Sequence, residues 1–218
     1  MIKRKRKRIL EKDKDEEHEE IIYEDRSVRE LLTIMKDYSE LITDLAYAAI
    51  VFESKDLAVE VGHIEAEMDK MMYLIRLKSM LSARTVEDAE QLSGLLQVAS
   101  AAEKISDAAE DMVSLLNMDV EIRPLLPNIL SEADEKIHTL RIKKSSDMAG
   151  HSIGELRIES HTGVRIVAVK RKMRWIYGPE GHTRLKKGDL LIVRGVDEGY
   201  NELKRVAYGK LAWKEVIS

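Results

Sequence analysis

The residues of this sequence whose types and spacing could do chemistry are acids on three helical segments. Glu-x-x-x-Asp occurs at Glu40/Asp44, Glu65/Asp69 and Glu103/Asp107. Four residues make about one helical turn, so both carboxylates of a pair lie on one face and can reach one cation. Spacing alone says little in a chain with 40 Asp and Glu, so orientation must decide. In Leu92–Leu116, the residues Leu92, Leu95, Leu96, Ala99 and Ala102 share an apolar face, and continuing the count places Glu103, Asp107 and Glu110 on or beside it. A carboxylate on a packed face needs a cation, a metal or a proton. Glu65 and Asp69 fall at the edge of the stripe formed by Leu57, Val61, Ile64, Met68, Met72 and Ile75. Glu40 and Asp44 lie opposite the Tyr38–Leu45 stripe and read as a solvated pair. Glu65, Asp69, Glu103 and Asp107 on facing helices, with Glu110 beside them, would make an all-oxygen site suited to a divalent or iron-type metal. The competing reading is neutralisation by Lys70, Arg76, Lys104 or Arg84.

The elements that must position these acids are legible from caps and periodicity. Ser27 and Glu30 form a capping box for a first helix, whose stripe of Leu31, Ile34, Met35, Tyr38, Leu41, Ile42, Leu45 and Ala49 runs to about Phe52. Asp56 is the expected cap of a second helix reaching Leu81, and Thr85 with Asp88 opens a third reaching Asn117. Three long helices with tight turns predict an antiparallel bundle. Pro124 and Pro127 end that unit, and Pro124–Glu135 reads as a short connecting helix. Beyond Ile137 the texture changes. Of the 11 glycines only Gly62 and Gly94 precede Gly150, and β-branched runs appear at His138–Lys143, Val164–Lys170, Arg174–Tyr177 and Leu190–Arg194. Gly178-Pro179 and Lys187-Gly188-Asp189 read as turns, and Asp197–Ala207 as a closing helix with Leu203 and Val206 inward. The fold class is therefore α+β, a helical bundle followed by a small α+β domain. The expected divisions are a charged tail over 1–26, the bundle over 27–120, a linker over 121–135 and the second domain over 136–218.

Composition narrows the function classes. The chain has 218 residues and no cysteine, which removes disulfides, thiolate metal sites and a cysteine nucleophile. The net charge of −4 favours no particular partner, and no apolar run reaches the length of a membrane span. The abundance of Lys, Arg and Glu with little Asn or Gln has the character of a thermophile protein. The Lys3–Arg8 basic run and the acidic run after it read as a solvated tail, with an electrostatic anchor to anionic lipid or nucleic acid as the other reading. His63, His138, His151, His161 and His182 share no ligand spacing, and most of them read as surface residues.

Two resemblances join this reading. Residues 27–118 resemble the PhoU family, through Ile64-Glu65-Ala66-Glu67-Met68-Asp69 and the run Ala102–Glu110. That resemblance implies metal held by Glu65, Asp69, Glu103 and Asp107, with Glu110 and Asp111 as neighbours. PhoU proteins usually carry two such repeats, and this chain has one. Residues 136–208 resemble the C-terminal domain of TrkA-type regulators of potassium conductance, through Ser146–Leu156, Thr162-Gly163-Val164, Ile166–Arg171, Gly178-Pro179 and Gly188-Asp189-Leu190-Leu191. It implies a homodimer and a small ligand, such as a cyclic dinucleotide. TrkA-type regulators precede this domain with a Rossmann domain, but the chain contains no Gly-x-Gly-x-x-Gly, so NAD is not expected.

Together these imply a non-enzymatic, cytoplasmic accessory subunit of a potassium or other cation channel or transporter, peripheral at the membrane. The alternative is a PhoU-like adaptor in phosphate-transport signalling. Nucleic acid is not an expected partner on this reading. A di-metal enzyme is disfavoured because no inward histidine accompanies the acids.

Overall fold

A computed structural model describes residues 26–117 and 132–217. The Lys3–Arg8 run and most of the expected connecting helix lie outside the described residues. Three long helices come first: α1 (Val28–Val51), α2 (Lys55–Ser82) and α3 (Val86–Ser114), the last continuing as a short 3-10 turn, Leu115–Asn117. The Ser27 hydroxyl accepts from the Glu30 N–H at 3.3 Å while the Glu30 carboxylate accepts from the Ser27 N–H at 2.7 Å, the reciprocal box its spacing predicts. Those bonds hold the Glu30 carboxyl below its ordinary pKa. Thr85 and Asp88 repeat the device at the start of α3, with both bonds at 3.1 Å. The cap of α2 differs from expectation. Ser54 accepts from the Leu57 N–H at 3.4 Å, which leaves Asp56 in the first turn to meet Lys170 at 3.5 Å and the Trp175 indole at 3.4 Å.

The second half of the chain folds into four antiparallel strands in the order β1-β4-β2-β3: β1 (Lys136–Arg141), β2 (Arg165–Arg171), β3 (Arg174–Tyr177) and β4 (Leu190–Gly195). Two short helices, α4 (Ile153–Leu156) and α5 (Ile158–Thr162), precede β2, and α6 (Asp197–Ala207) and α7 (Trp213–Val216) close the chain. Continuous apolar runs, Ile166–Val169 and Leu190–Val193, fill the central strands β2 and β4, and Leu140, Val164, Val169, Leu185, Leu191, Val193, Leu203 and Val206 are all fully buried in one core. Two glycines are obligatory here. Gly163 ends α5 with φ of 66°, and a Cβ on Gly199 would run into the Thr162 carbonyl, so α6 crosses the end of α5 only because residue 199 lacks a side chain.

By proximity, residues 26–40 group with 62–108, while 41–61 group with 109–117 and 132–217. Burial along α1 agrees with that division. Leu31 and Met35 are buried on the stripe expected for a bundle, but from Ile42 onward Asp44, Leu45, Ala46, Ala48 and Ala49 are all buried as well. A helix apolar on more than one face is one that is covered on more than one face. Here the far side of α1 is taken by residues of the sheet. A Cβ on Gly178 would touch the Leu41 side chain at 2.9 Å, and Arg194 of β4 reaches Asp44.

The packed face of α3 also departs from the sequence reading. Ala99, Ser106, Ala109, Val113 and Leu116 are its buried positions, whereas Leu95 is 39% exposed and Leu92 and Leu96 are only half-buried. The inward face is thus small at Ala99, Ser106 and Ala109 and larger at Val113 and Leu116, while Leu92, Leu95 and Leu96 sit to the side. His138, one of the histidines without ligand spacing, is half-buried and stacks on Tyr200 with ring centroids 3.9 Å apart. Burial pushes its pKa below the ordinary histidine value, against the pull of Asp197.

Candidate functional site

Of the acids singled out above, three converge. Glu65 and Asp69 on α2 and Asp107 on α3 each place a carboxylate oxygen within 4.8 Å of the other two. Glu65 is half-buried, and Asp69 and Asp107 are exposed. Three hard oxygen donors on two rigid helices suit Mg2+, Mn2+ or Ca2+, with water completing the shell. Glu103 lies apart from the trio and meets the Arg76 guanidinium at 3.6 Å, one of the neutralising partners considered from sequence. Glu110 is exposed and lies outside the trio. The four-carboxylate set expected from sequence therefore resolves into a trio and an ion pair. Glu110 stands nearly one turn beyond Asp107 along α3, outside the group that Glu65, Asp69 and Asp107 form.

Asp44 corrects the reading most sharply. It was expected on a solvated face, yet its side chain is 3% exposed and receives the Arg194 Nη1 at 2.7 Å. Its intended companion Glu40 instead pairs with Lys36 at 2.7 Å. The ion pair is lopsided. Burial lifts the Asp44 pKa above the ordinary carboxylate value by more than the opposing pull of Arg194. Burial also works against the Arg194 charge, but Asp44 and Glu135 (the latter 3.1 Å from Nε) together raise it. A cavity of about 260 Å³ beside the pair is lined by Thr43, Tyr47, Val51, Ala133, Glu135 and Ile137.

A second candidate site was missed in the sequence. An open groove of about 1320 Å³ runs along β3, the turn before it and the Lys186–Leu190 turn. Arg141, Lys170, Arg171, Lys172, Arg174, Lys186 and Lys187 line it, together with Trp175, Met173 and Ile176. Among the described residues its one lining acid is Asp189, which is buried and already accepts from Arg171 Nε at 2.9 Å, Arg171 Nη2 at 2.7 Å and the Lys186 N–H at 2.8 Å. That carboxylate holds the Arg171 guanidinium above its usual pKa and fixes the Lys186–Asp189 turn against β2. Arg171 thus serves the fold, while Lys172, Arg174, Lys186 and Lys187 stay exposed at the rim. Lys170 lies over the Trp175 ring at 4.7 Å, and Trp175 stacks on Tyr177. The Tyr177 phenol is pushed up to about 12, by burial first and then by Glu60 and Asp56. Cations around an aromatic face suit a phosphate-bearing ligand with a flat ring. The signal available in sequence was the run Lys170–Trp175, but its cations are joined to those of the Lys186–Lys187 turn only by folding.

Both halves of the chain are similar to known domains. Residues 137–207 match the family model of the TrkA-C domain and residues 32–116 that of the PhoU domain. The chain joins a PhoU domain to a TrkA-C domain. No curated protein matched it. Among solved structures, the RCK_C domain dimer of S. agalactiae BusR in complex with c-di-AMP is 27% identical, with a TM-score of 0.32, over 33% of this chain and 93% of that one. The RCK C domain of the potassium transport protein KtrA, in complex with cyclic diadenosine monophosphate, is 30% identical with a TM-score of 0.32, over 38% of this chain and 94% of that one. S. agalactiae BusR in complex with its busAB-promotor DNA is 15% identical with a TM-score of 0.33, over 79% and 97%. No described helix of the present chain is long and apolar enough to cross a membrane.

Proposed function

We propose that this protein is a regulatory subunit of a potassium or other cation transport system, sensing a small anionic ligand through its TrkA-C domain. It would act at the cytoplasmic face of the membrane and catalyse no reaction of its own. The observation that carries the reading is the groove beside β3, where, among the described residues, Asp189 is the one acid in the lining and is spent on Arg171. A cyclic dinucleotide fits that chemistry: two phosphates for Lys172, Arg174, Lys186 and Lys187, and a purine for the apolar floor near Trp175 and Ile176. Calorimetric titration of the full chain with cyclic di-AMP is the test. Binding that weakens at least tenfold in Lys172→Ala/Arg174→Ala supports the assignment. An absence of binding, or binding indifferent to both substitutions, removes it.

The PhoU domain supplies the response element and holds a divalent metal on Glu65, Asp69 and Asp107 in this reading. The metal would supply positive charge that ties α2 to α3, and the protein residues would orient it and exclude Glu103, which Arg76 already occupies. The same trio also favours a second reading, an adaptor in phosphate-transport signalling. Co-purification from the source organism separates the two, since each names a different transporter as partner.

A further inference from the structure

The outward side of α3 carries an uncharged seam that the bundle does not use. Val98, Ala101, Ile105, Ala108, Met112 and Leu115 recur at intervals of three and four, the a and d positions of a heptad. Ala101 and Ala108 are exposed, Val98 is 62% exposed, Ile105 44% and Leu115 37%. These are not the positions that face the bundle, which are Ala99, Ser106, Ala109 and Val113. A helix apolar on two faces expects a neighbour on each.

We propose that this seam pairs with the α3 of a second copy, antiparallel, about a two-fold axis between Ile105 and Ala108. Size and charge together select the partner and the register. With the axis there, Ile105 of one copy packs on Ala108 of the other and Met112 on Ala101, a large side chain against a small one, and Val98 meets Leu115 at the ends. The flanking positions then bring Lys104 of each copy opposite Asp111 of the other, giving two symmetry-related ion pairs across the seam. Both residues are exposed. Sliding the copies by one heptad step, to set Ile105 on Ala101, brings Lys104 against Lys104 and loses both pairs. The contact spans 18 residues, about 27 Å. A single helix pair of that length buries less than the roughly 800 Å² per partner of a standard interface. The pairing is therefore concentration-dependent and salt-sensitive, and it adds to any contact the TrkA-C domain makes.

Zero-length carbodiimide cross-linking of the full chain tests this, with isotope-labelled and unlabelled protein mixed so that links between copies carry a hybrid mass. A hybrid peptide joining Lys104 to Asp111 is the expected product, at a yield that falls several-fold in high salt. Lys104→Glu and Asp111→Lys each abolish it, and the double charge swap restores it, an outcome a merely misfolded variant would not give. Ile105→Glu removes the link with the helical circular dichroism unchanged. The proposal is overturned if Lys104 and Asp111 never link between copies, or if single charge reversals leave the yield unaltered. A link from Asp111 to the Lys3–Arg8 run would overturn it too, by making the chain's own tail the occupant.

Discussion

Removing Arg194 should cost this protein more than removing Asp44, although the two make one ion pair. Arg194→Met strands a carboxylate whose side chain is 3% exposed, while Asp44→Ala strands a guanidinium that is 38% exposed and still holds Glu135 at 3.1 Å. Stranding a buried charge costs about 3–5 kcal/mol. For the partly hydrated Arg194 that figure is discounted to about 1–2 kcal/mol, since water and Glu135 take up the charge. Asp44→Asn should cost least, under about 1 kcal/mol, because the amide keeps an acceptor for Arg194 and removes the desolvation of a charge. The pH dependence follows from the raised pKa of Asp44. A carboxyl that binds its proton more tightly in the folded state destabilises the fold as the pH rises through the folded value, and that loss is absent below the unfolded value of about 3.9. Without Arg194 the Asp44 pKa rises further, so the Arg194→Met penalty should shrink steadily as the pH is lowered from neutrality toward 4. Urea unfolding at a series of pH values, with the m-value held common, reads all three variants. Equal costs for Arg194→Met and Asp44→Ala at neutral pH, or an Arg194→Met penalty that does not change with pH, would refute the argument from desolvation.

Three further outcomes follow from other parts of the fold. Manganese should raise the midpoint of thermal unfolding of the native chain, and Asp69→Asn or Asp107→Asn should abolish the shift while Glu110→Gln retains it, because only the first two belong to the trio with Glu65. Gly199→Ala should lower stability by at least about 1–3 kcal/mol in chemical denaturation, since the added methyl overlaps the Thr162 carbonyl and α6 must move. The depressed His138 pKa means that the unfolded chain takes up a proton before the folded one does, so stability should fall as the pH drops through about 6.5. His138→Phe, which keeps a ring against Tyr200, should flatten that part of the pH profile.

Much of the fold was legible because its causes are local. The Ser27/Glu30 and Thr85/Asp88 boxes need only residues three apart, and both form. The strand at Arg174–Tyr177 and the helix at Asp197–Ala207 have the bounds their alternation and turn residues predict. The glycines at 150, 163, 178 and 188 all sit at positive φ, where a chain punctuated by turns needs them. The cap of α2 was misplaced by two residues because Ser54 and Asp56 are both good caps, and what separates them is the docking of Asp56 on Lys170 and Trp175. The candidate site was half legible. Glu65, Asp69 and Asp107 come together as their spacing suggested, but sequence did not show that Glu103 would turn to Arg76, nor that two basic segments would close one groove.

By itself, the sequence determined three helices, four strand-forming runs and the pairing of acids on single helical turns, since each depends on bonds and angles within a few residues. Only the tertiary structure decided what covers each helix on its far side. Periodicity fixes the angle of a residue relative to its own helix's apolar stripe and nothing more. Asp44 stands opposite that stripe and is nonetheless buried, because Arg194, 150 positions later, folds onto it.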